Sequence, residues 1–295
     1  MDFQKELKQK TEEAESVIRK YLPEESGFCE TAAKAINYSM LSGGKRLRPV
    51  LLGETYRLFG GNEKVVEPFM AAIEMIHTHS LIHDDLPALD NDDYRRGRLT
   101  THKVFGEAMG VLSGVTLLNL AYETMLKGAA LTEHKERVIA AMEIMAEKTG
   151  IRGMLGGQCV DVENDGKPLG KEMLDYIYEH KTAALLEAAM ETGAVLAGAS
   201  GEEVRAMGKI AHYVGLAFQI QDDILDVQGD EKLLGKPMHS DEKNNKVTYV
   251  TLMGLKTARE TVASLSEAAQ TLLKNPENNG SFLVELIGSL AGRKF

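Results

Sequence analysis

The stretch Leu81 to His102 reads LIHDDLPALDNDDYRRGRLTTH and sets five aspartates and three arginines between Asp84 and Arg98, behind the apolar run MIHTHSLI. A second acidic group lies in FQIQDDILDVQGD, where Asp222 and Asp226 are four residues apart and so share one face of a helix, with Asp223 turned about 100° away. Like charges at that spacing repel. Phe218, Ile220, Ile224, Leu225 and Val227 make the same helix largely buried, so a cation must compensate the carboxylates. In the first group, Asp84, Asp85 and Asp90 flank Pro87, which loosens the helix and turns Asp90 back toward Asp84. Hard oxygen donors in this setting suit magnesium, which takes one or two carboxylates per ion together with phosphate oxygens of a substrate. Helix ends turned to water are the bland reading of either group alone. Two such groups, each closing an apolar helix, argue against it. Neither has the alternating ligands, glycine and terminal glutamate of a calcium loop, and no Glu-x-x-His pair stands where a di-iron site would need it.

Basic residues bracket the acidic ones. Arg95 and Arg96 offer fixed guanidinium forks for phosphate oxygens, and SGGKRLRP supplies Lys45, Arg46 and Arg48 after a flexible glycine pair. Taken alone, GGKRLRP reads equally as surface charge at a helix start. Combined with the aspartates, it suggests one diphosphate held through metal and another held directly by basic side chains.

The elements that must carry these groups are helices. Apolar residues recur at three- and four-residue spacing, β-branched alternation is hard to find, tryptophan is absent and there are only seven prolines. The fold class is all-α, a single domain over 1–295. Breaks fall at 22–27, 41–44, 59–64, NDDYRRGRLTTH, 163–170, 197–203, 228–245 and 274–280, and the penultimate one is long enough for a functional lid. Segments 67–82 and 203–222 are apolar over much of their circumference, as central helices are. A formal charge of −10 argues against nucleic acid, and Cys29 and Cys159 match no metal or redox spacing, which fits reduced thiols in the cytoplasm. No segment reads as long enough without charge to span a bilayer.

In sequence order, GGKRLRP, IEMIHTHSLIHDDLPALD, DDYRRG, GMLGGQCVD, HKT, FQIQDDILD and GKPMHSDEKNNKVTYV resemble the trans-isoprenyl diphosphate synthases over nearly the whole chain, and the short-chain bacterial farnesyl diphosphate synthases above all. The resemblance implies a helical bundle around a deep central cavity, a homodimer, and about three Mg2+ ions per active site. It implies that an allylic diphosphate, held by magnesium between the two aspartate groups, ionises. The double bond of isopentenyl diphosphate then attacks, and a proton is lost.

Carried over by position, the first metal group is Asp84, Asp85 and Asp90, and the second is Asp222, Asp223 and Asp226, of which Asp222 and Asp226 are the direct ligands. Arg95, Lys181 and Lys236 would hold the allylic diphosphate. Lys45, Arg48, His77 and Arg96 would hold isopentenyl diphosphate, although His77 alone would read as a core histidine. Thr182 and Gln219 would stand beside the reacting carbons, Gln158 and Asp161 would support that wall, and Lys246 would belong to a closing segment.

The sequence departs from the pattern at Leu99, where proline is common, at Ala183, where glycine is frequent, and at His79, where an aromatic ring is usual. The departure at His79 bears on product length, since that residue precedes Asp84 by five positions, about 7.5 Å along the helix. The expectation is a fifteen-carbon product with some twenty-carbon leakage. The alternative is a geranylgeranyl diphosphate synthase; a terpene cyclase or head-to-head synthase and a non-catalytic partner subunit are further readings, the basic groups disfavouring the former and the intact aspartates the latter.

Overall fold

The computed structural model describes residues 2–228, 247–273 and 282–291. The chain divides into two compact units, Met1–Glu143 with Val195–Gly198, and Ile144–Ala194 with Ala199–Phe295.

In the first unit the helices are α1 (Phe3–Arg19), α2 (Glu30–Met40), α3 (Leu47–Leu58), α4 (Val66–Asp84), α5 (Thr101–Phe105) and α6 (Glu107–Lys127), and α7 (Lys135–Thr149) begins there. Helix α4 packs against α1, α2, α3 and α6. Its Phe69, Ile73, Met75 and Ile76 are fully buried, as its apolar circumference requires. It ends at Asp84 because Pro87 disfavours helical backbone at the residue before it. The chain then curls back, and the Asp90 amide donates to the Asp84 carbonyl at 2.9 Å, as Pro87 led us to expect.

A small hairpin departs from the all-helical reading. Tyr94–Arg95 pairs antiparallel with Arg98–Leu99, and Arg96 and Gly97 turn it with φ of 53° and 74°. Positive φ at both turn residues is what a two-residue hairpin needs to match strand twist.

Among the described residues Glu107–Ala130, α6 with the turn after it, is long and apolar enough to cross a membrane by length and composition alone, although Glu107, Glu123 and Lys127 interrupt it with charge, as the sequence led us to expect. Gly110, Ser113, Gly114, Leu117 and Ala121 bury one face of it, and the helix packs on α4. The opposite face leaves Val111, Leu112 and Val115 exposed.

The second unit contains α8 (Met154–Glu163), α9 (Lys171–Ile177), α10 (Ala184–Ala197), α11 (Gly201–Gln228), α12 (Tyr249–Met253), α13 (Leu255–Leu273) and α14 (Phe282–Ala291). Leu174, Ile177, Tyr178, Ala217, Ile220, Ile224, Tyr249, Ala258 and Val262 form its core. Between α9 and α10 the backbone widens into a π-turn, Tyr178–Ala183.

An ionic cluster lies within this unit. Lys148 donates to Glu187, and His212 Nδ1 lies 2.9 Å from Glu187 Oε1. Nearby, burial pushes the Glu191 carboxyl up to about 7, with Lys148 opposing and Glu187 and Glu147 adding to it. The folded state therefore holds this proton more tightly than the unfolded chain, and stability falls as pH rises from about 4.5 to about 7. Glu191→Gln is expected to gain on the order of 1 kcal/mol over wild type at pH 8 and nothing near pH 4.5. Thermal melts at the two pH values check this, and an equal difference at both would contradict it.

Candidate active site

The first unit gathers the acidic and basic groups around the C-terminal half of α4. Asp85 is buried and its Oδ1 accepts from Arg95 Nε and Nη2, both at 2.6 Å. Burial raises its carboxyl to about 6 despite Arg95, and Asp92 and Asp84 push the same way. Asp84 is half-buried and Asp90 exposed.

The GGKRLRP segment divides its labour in a way its composition hides. Arg46 is not anion-facing with Lys45 and Arg48 but turned inward, 3% exposed, in left-handed backbone with φ 47°. Its Nη1 lies 2.6 Å from Glu74 Oε1, its Nη2 donates to the Met40 carbonyl at 2.6 Å, and its Nε stands 3.5 Å from Glu15. This buried pair ties the loop to α4 one turn before His77. Arg96 lies across the glycine pair, its Nη1 donating to the Gly43 carbonyl. A methyl group at Gly44 would sit 2.7 Å from the Arg96 guanidinium carbon, in a backbone with φ 128°.

Arg48 and His77, both half-buried, complete the group. Burial lowers Arg48 to about 10, with Glu74 opposing and Arg96 adding to the fall. Burial, then Arg48, Arg96, Arg95 and Arg46, hold His77 well below the ordinary histidine range, so it is neutral and can hydrogen-bond without competing for protons. Glu74 faces Arg46 directly and acts on Arg48 and Arg96 from further off, while Asp85 takes Arg95.

His79 is 3% exposed, its Nδ1 lies 3.0 Å from the Gly114 carbonyl on α6, and its Nε2 has no hydrogen-bond partner among the described residues. The rings of His79 and His83 meet edge to face at 4.6 Å.

The second unit brings together the other half of the predicted set in one cleft, lined by Asp161, Tyr178, Lys181, Thr182, Gln219 and Asp223 among others. Thr182 Oγ1 donates to Gln219 Oε1 at 2.9 Å, pairing the two residues expected beside the reacting carbons. Lys181 Nζ lies 2.6 Å from Asp161 Oδ2, so Asp161 is the counter-ion of that lysine rather than a mere wall. The π-turn is what aims Lys181 and Thr182. A wide turn of this kind shifts the phase of the side chains after it, and such turns gather at functional sites.

Two glycines admit the turn. A methyl at Gly157 would lie 2.3 Å from the Lys181 amide nitrogen, and one at Gly215 would lie 2.5 Å from the Ala183 methyl. Asp222 is half-buried and Asp226 buried on the shared face of α11. Asp223 faces elsewhere. Its Oδ2 accepts from the Tyr178 hydroxyl at 2.6 Å and from the Tyr249 amide at 2.8 Å. Sequence reasoning passed over Tyr178, Tyr249 and Glu74; a tyrosine opening the HKT segment was the one visible signal. Lys236 and Lys246 lie outside the described residues.

The donor set fits magnesium. It consists of carboxylate oxygens, and Asp85 remains undercompensated by Arg95, so added positive charge would stabilise its ionised form. Among the described residues no three His, Cys, Asp or Glu side chains converge into a ready cage. Magnesium commonly completes its shell with water and substrate phosphate instead.

A family profile for polyprenyl synthetases matches residues 29–284. The chain is 42% identical to a farnesyl diphosphate synthase of Geobacillus stearothermophilus, over 97% of this chain and 96% of that one. It is 41% identical to geranylgeranyl pyrophosphate synthase 11 of Arabidopsis thaliana, over 99% of this chain and 82% of that one. Among solved structures it resembles a geranyltransferase of Helicobacter pylori complexed with magnesium and isoprenyl diphosphate, with a TM-score of 0.82 and 30% identity over 99% of this chain and 97% of that one. With the helical architecture, the two aspartate groups and the arginine-rich loop all in place along nearly its full length, the chain belongs to the polyprenyl synthetase family of prenyltransferases.

Proposed function

We propose that this prenyltransferase is a farnesyl diphosphate synthase, joining isopentenyl diphosphate head-to-tail to dimethylallyl and then geranyl diphosphate. The observation that carries the reading is the group of Arg48 and Arg96 guanidinium charges around His77, beside the Asp84, Asp85 and Asp90 carboxylates. A cyclase needs one diphosphate site. Chain elongation needs two, and the second holds its anion by guanidinium and imidazole contacts alone.

In this reading Lys45, Arg48, His77 and Arg96 bind isopentenyl diphosphate. Arg95 and Lys181 hold the allylic diphosphate, with Lys236 and Lys246 from the segment outside the described residues. Mg2+, at about three ions, would be held by Asp84, Asp85 and Asp90 and by Asp222 and Asp226, and supplies positive charge to the departing diphosphate. Thr182 and Gln219 present neutral oxygens to the allylic carbons, where they favour a developing cation without capturing it. The apolar face of α6 around Val111, Leu112 and Val115 supports a homodimer, and the reading as a whole is of one functional domain working in the cytoplasm.

Product length rests on His79. Its ring is pinned to the Gly114 carbonyl, five residues before Asp84 and facing α6 rather than solvent. The test is to incubate the purified protein with magnesium, isopentenyl diphosphate and either dimethylallyl or geranyl diphosphate, and to measure product chain lengths. Fifteen carbons should dominate, His79→Ala should lengthen the products, and His79→Tyr should narrow them to fifteen. A twenty-carbon main product would make the chain a geranylgeranyl diphosphate synthase. Identical distributions in all three proteins would move the length determinant elsewhere.

A further inference from the structure

The residues of the second acidic group do not share one task. Asp222 and Asp226 lie on one face of α11, while Asp223, 3% exposed, projects into the core formed with α9, the π-turn and α12. Its Oδ2 takes two hydrogen bonds, from the Tyr178 hydroxyl at 2.6 Å and the Tyr249 amide at 2.8 Å. Both donors occupy junctions. Tyr178 is the first residue of the π-turn, three before Lys181 and four before Thr182, and Tyr249 is the first residue of α12. Burial strengthens hydrogen bonds of this kind by excluding competing water.

The turn is also gripped sideways. Gly157 on α8 and Gly215 on α11 approach its backbone too closely to admit even a methyl group. Those contacts fix how far the turn lies from each helix. They leave its rotation and its slide along α11 to directional contacts, of which Tyr178 to Asp223 is the buried and shorter one and Thr182 to Gln219 the part-buried one.

We propose that Asp223 is a positioning residue rather than a magnesium ligand: through Tyr178 it sets the phase of the π-turn that presents Lys181 and Thr182, and through the Tyr249 amide it registers the start of α12 to the same carboxylate. This rests on the prenyltransferase reading for its catalytic consequence, but not for its structural one.

The test compares Tyr178→Phe, which removes one hydroxyl, with Asp223→Ala, Asp223→Asn and the Tyr178→Phe/Asp223→Ala double variant. Amide hydrogen exchange on the unloaded protein is read over 178–183, and KM for the allylic diphosphate and the magnesium concentration for half-maximal rate are measured. Tyr178→Phe and Asp223→Ala should each speed exchange across the turn and raise the allylic KM by about 10-fold. The double variant should be no worse than Asp223→Ala, and Asp223→Asn, which keeps an acceptor oxygen, should recover part of the loss. The magnesium midpoint should hold its wild-type value throughout. Unchanged exchange in Tyr178→Phe, additive losses, or an Asp223→Asn as poor as Asp223→Ala with a raised magnesium midpoint would each overturn the proposal. A wild-type protein without condensation activity would sink the prenyltransferase reading instead, and the exchange rates alone would then decide whether the lock exists.

Discussion

Asp84→Ala is expected to lower kcat by about a thousandfold or more while leaving the folded state at least as stable as wild type. The two halves of that expectation have one cause. Burial is the main cause that raises the Asp85 carboxyl, and Asp84 beside it adds repulsion, so removing Asp84 relieves part of that cost. The same crowding of carboxylates is what would hold positive charge against a leaving diphosphate, and one member fewer weakens that hold. Asp222→Ala on the other group should behave alike, since it stands four residues from buried Asp226 on one helix face. Rate and thermal unfolding are measured on the same preparations, with magnesium titrated to saturation. Near-normal turnover in either variant would end the two-cluster reading.

Glu74→Ala should act in the opposite sense, on stability first. The carboxylate and the Arg46 guanidinium it meets at 2.6 Å each have side chains only 2% exposed. Removing the acid leaves a buried guanidinium with only the Met40 carbonyl and the more distant Glu15, at a cost of about 3–5 kcal/mol. Replacing Arg46 by methionine together with Glu74→Ala should restore much of that loss, because the expense lies in the uncompensated charge and not in the missing contact. Denaturant unfolding of the single and double variants checks both statements. A loss below about 1 kcal/mol in Glu74→Ala would mean that solvent reaches Arg46.

The contrast between Asp84 and Glu74 marks where the sequence was readable. The apolar spans 67–82 and 203–222 announced α4 and α11, and Pro87 announced the return of Asp90 to Asp84, because periodicity and proline sterics are local. The family likeness singled out Thr182 and Gln219 as residues beside the reacting carbons; that they bond to each other, at 2.9 Å, is what the structure adds. What could not be read was direction. In KRLR, one lysine and two arginines look alike in charge, and the left-handed backbone at Arg46 accompanies the turn of its side chain to Glu74 while Lys45 stays exposed. The hairpin at Tyr94–Leu99 was hidden for the opposite reason: strands of two residues carry no alternation, although Arg96-Gly97 was a turn signal of the right kind. The π-turn has no signature in composition at all. Its clearest trace is indirect, in Gly157 and Gly215, which are glycines inside helices where propensity alone would favour alanine.

Those two glycines also constrain how the chain can change. Ala183 has its methyl group where Gly215 leaves space, and the Lys181 amide occupies the space left by Gly157. Enlarging any one of these positions displaces a backbone that the others hold, so the effects of substitutions at 157, 183 and 215 should depend on one another rather than add. An engineer seeking a different primer or product would find Ala183 a poor place to begin alone: adding bulk there presses on α11, the helix that carries Gln219, Asp222 and Asp226. A single point change at the turn is thereby read out at Asp222 and Asp226, and useful variants must be sought as coordinated sets.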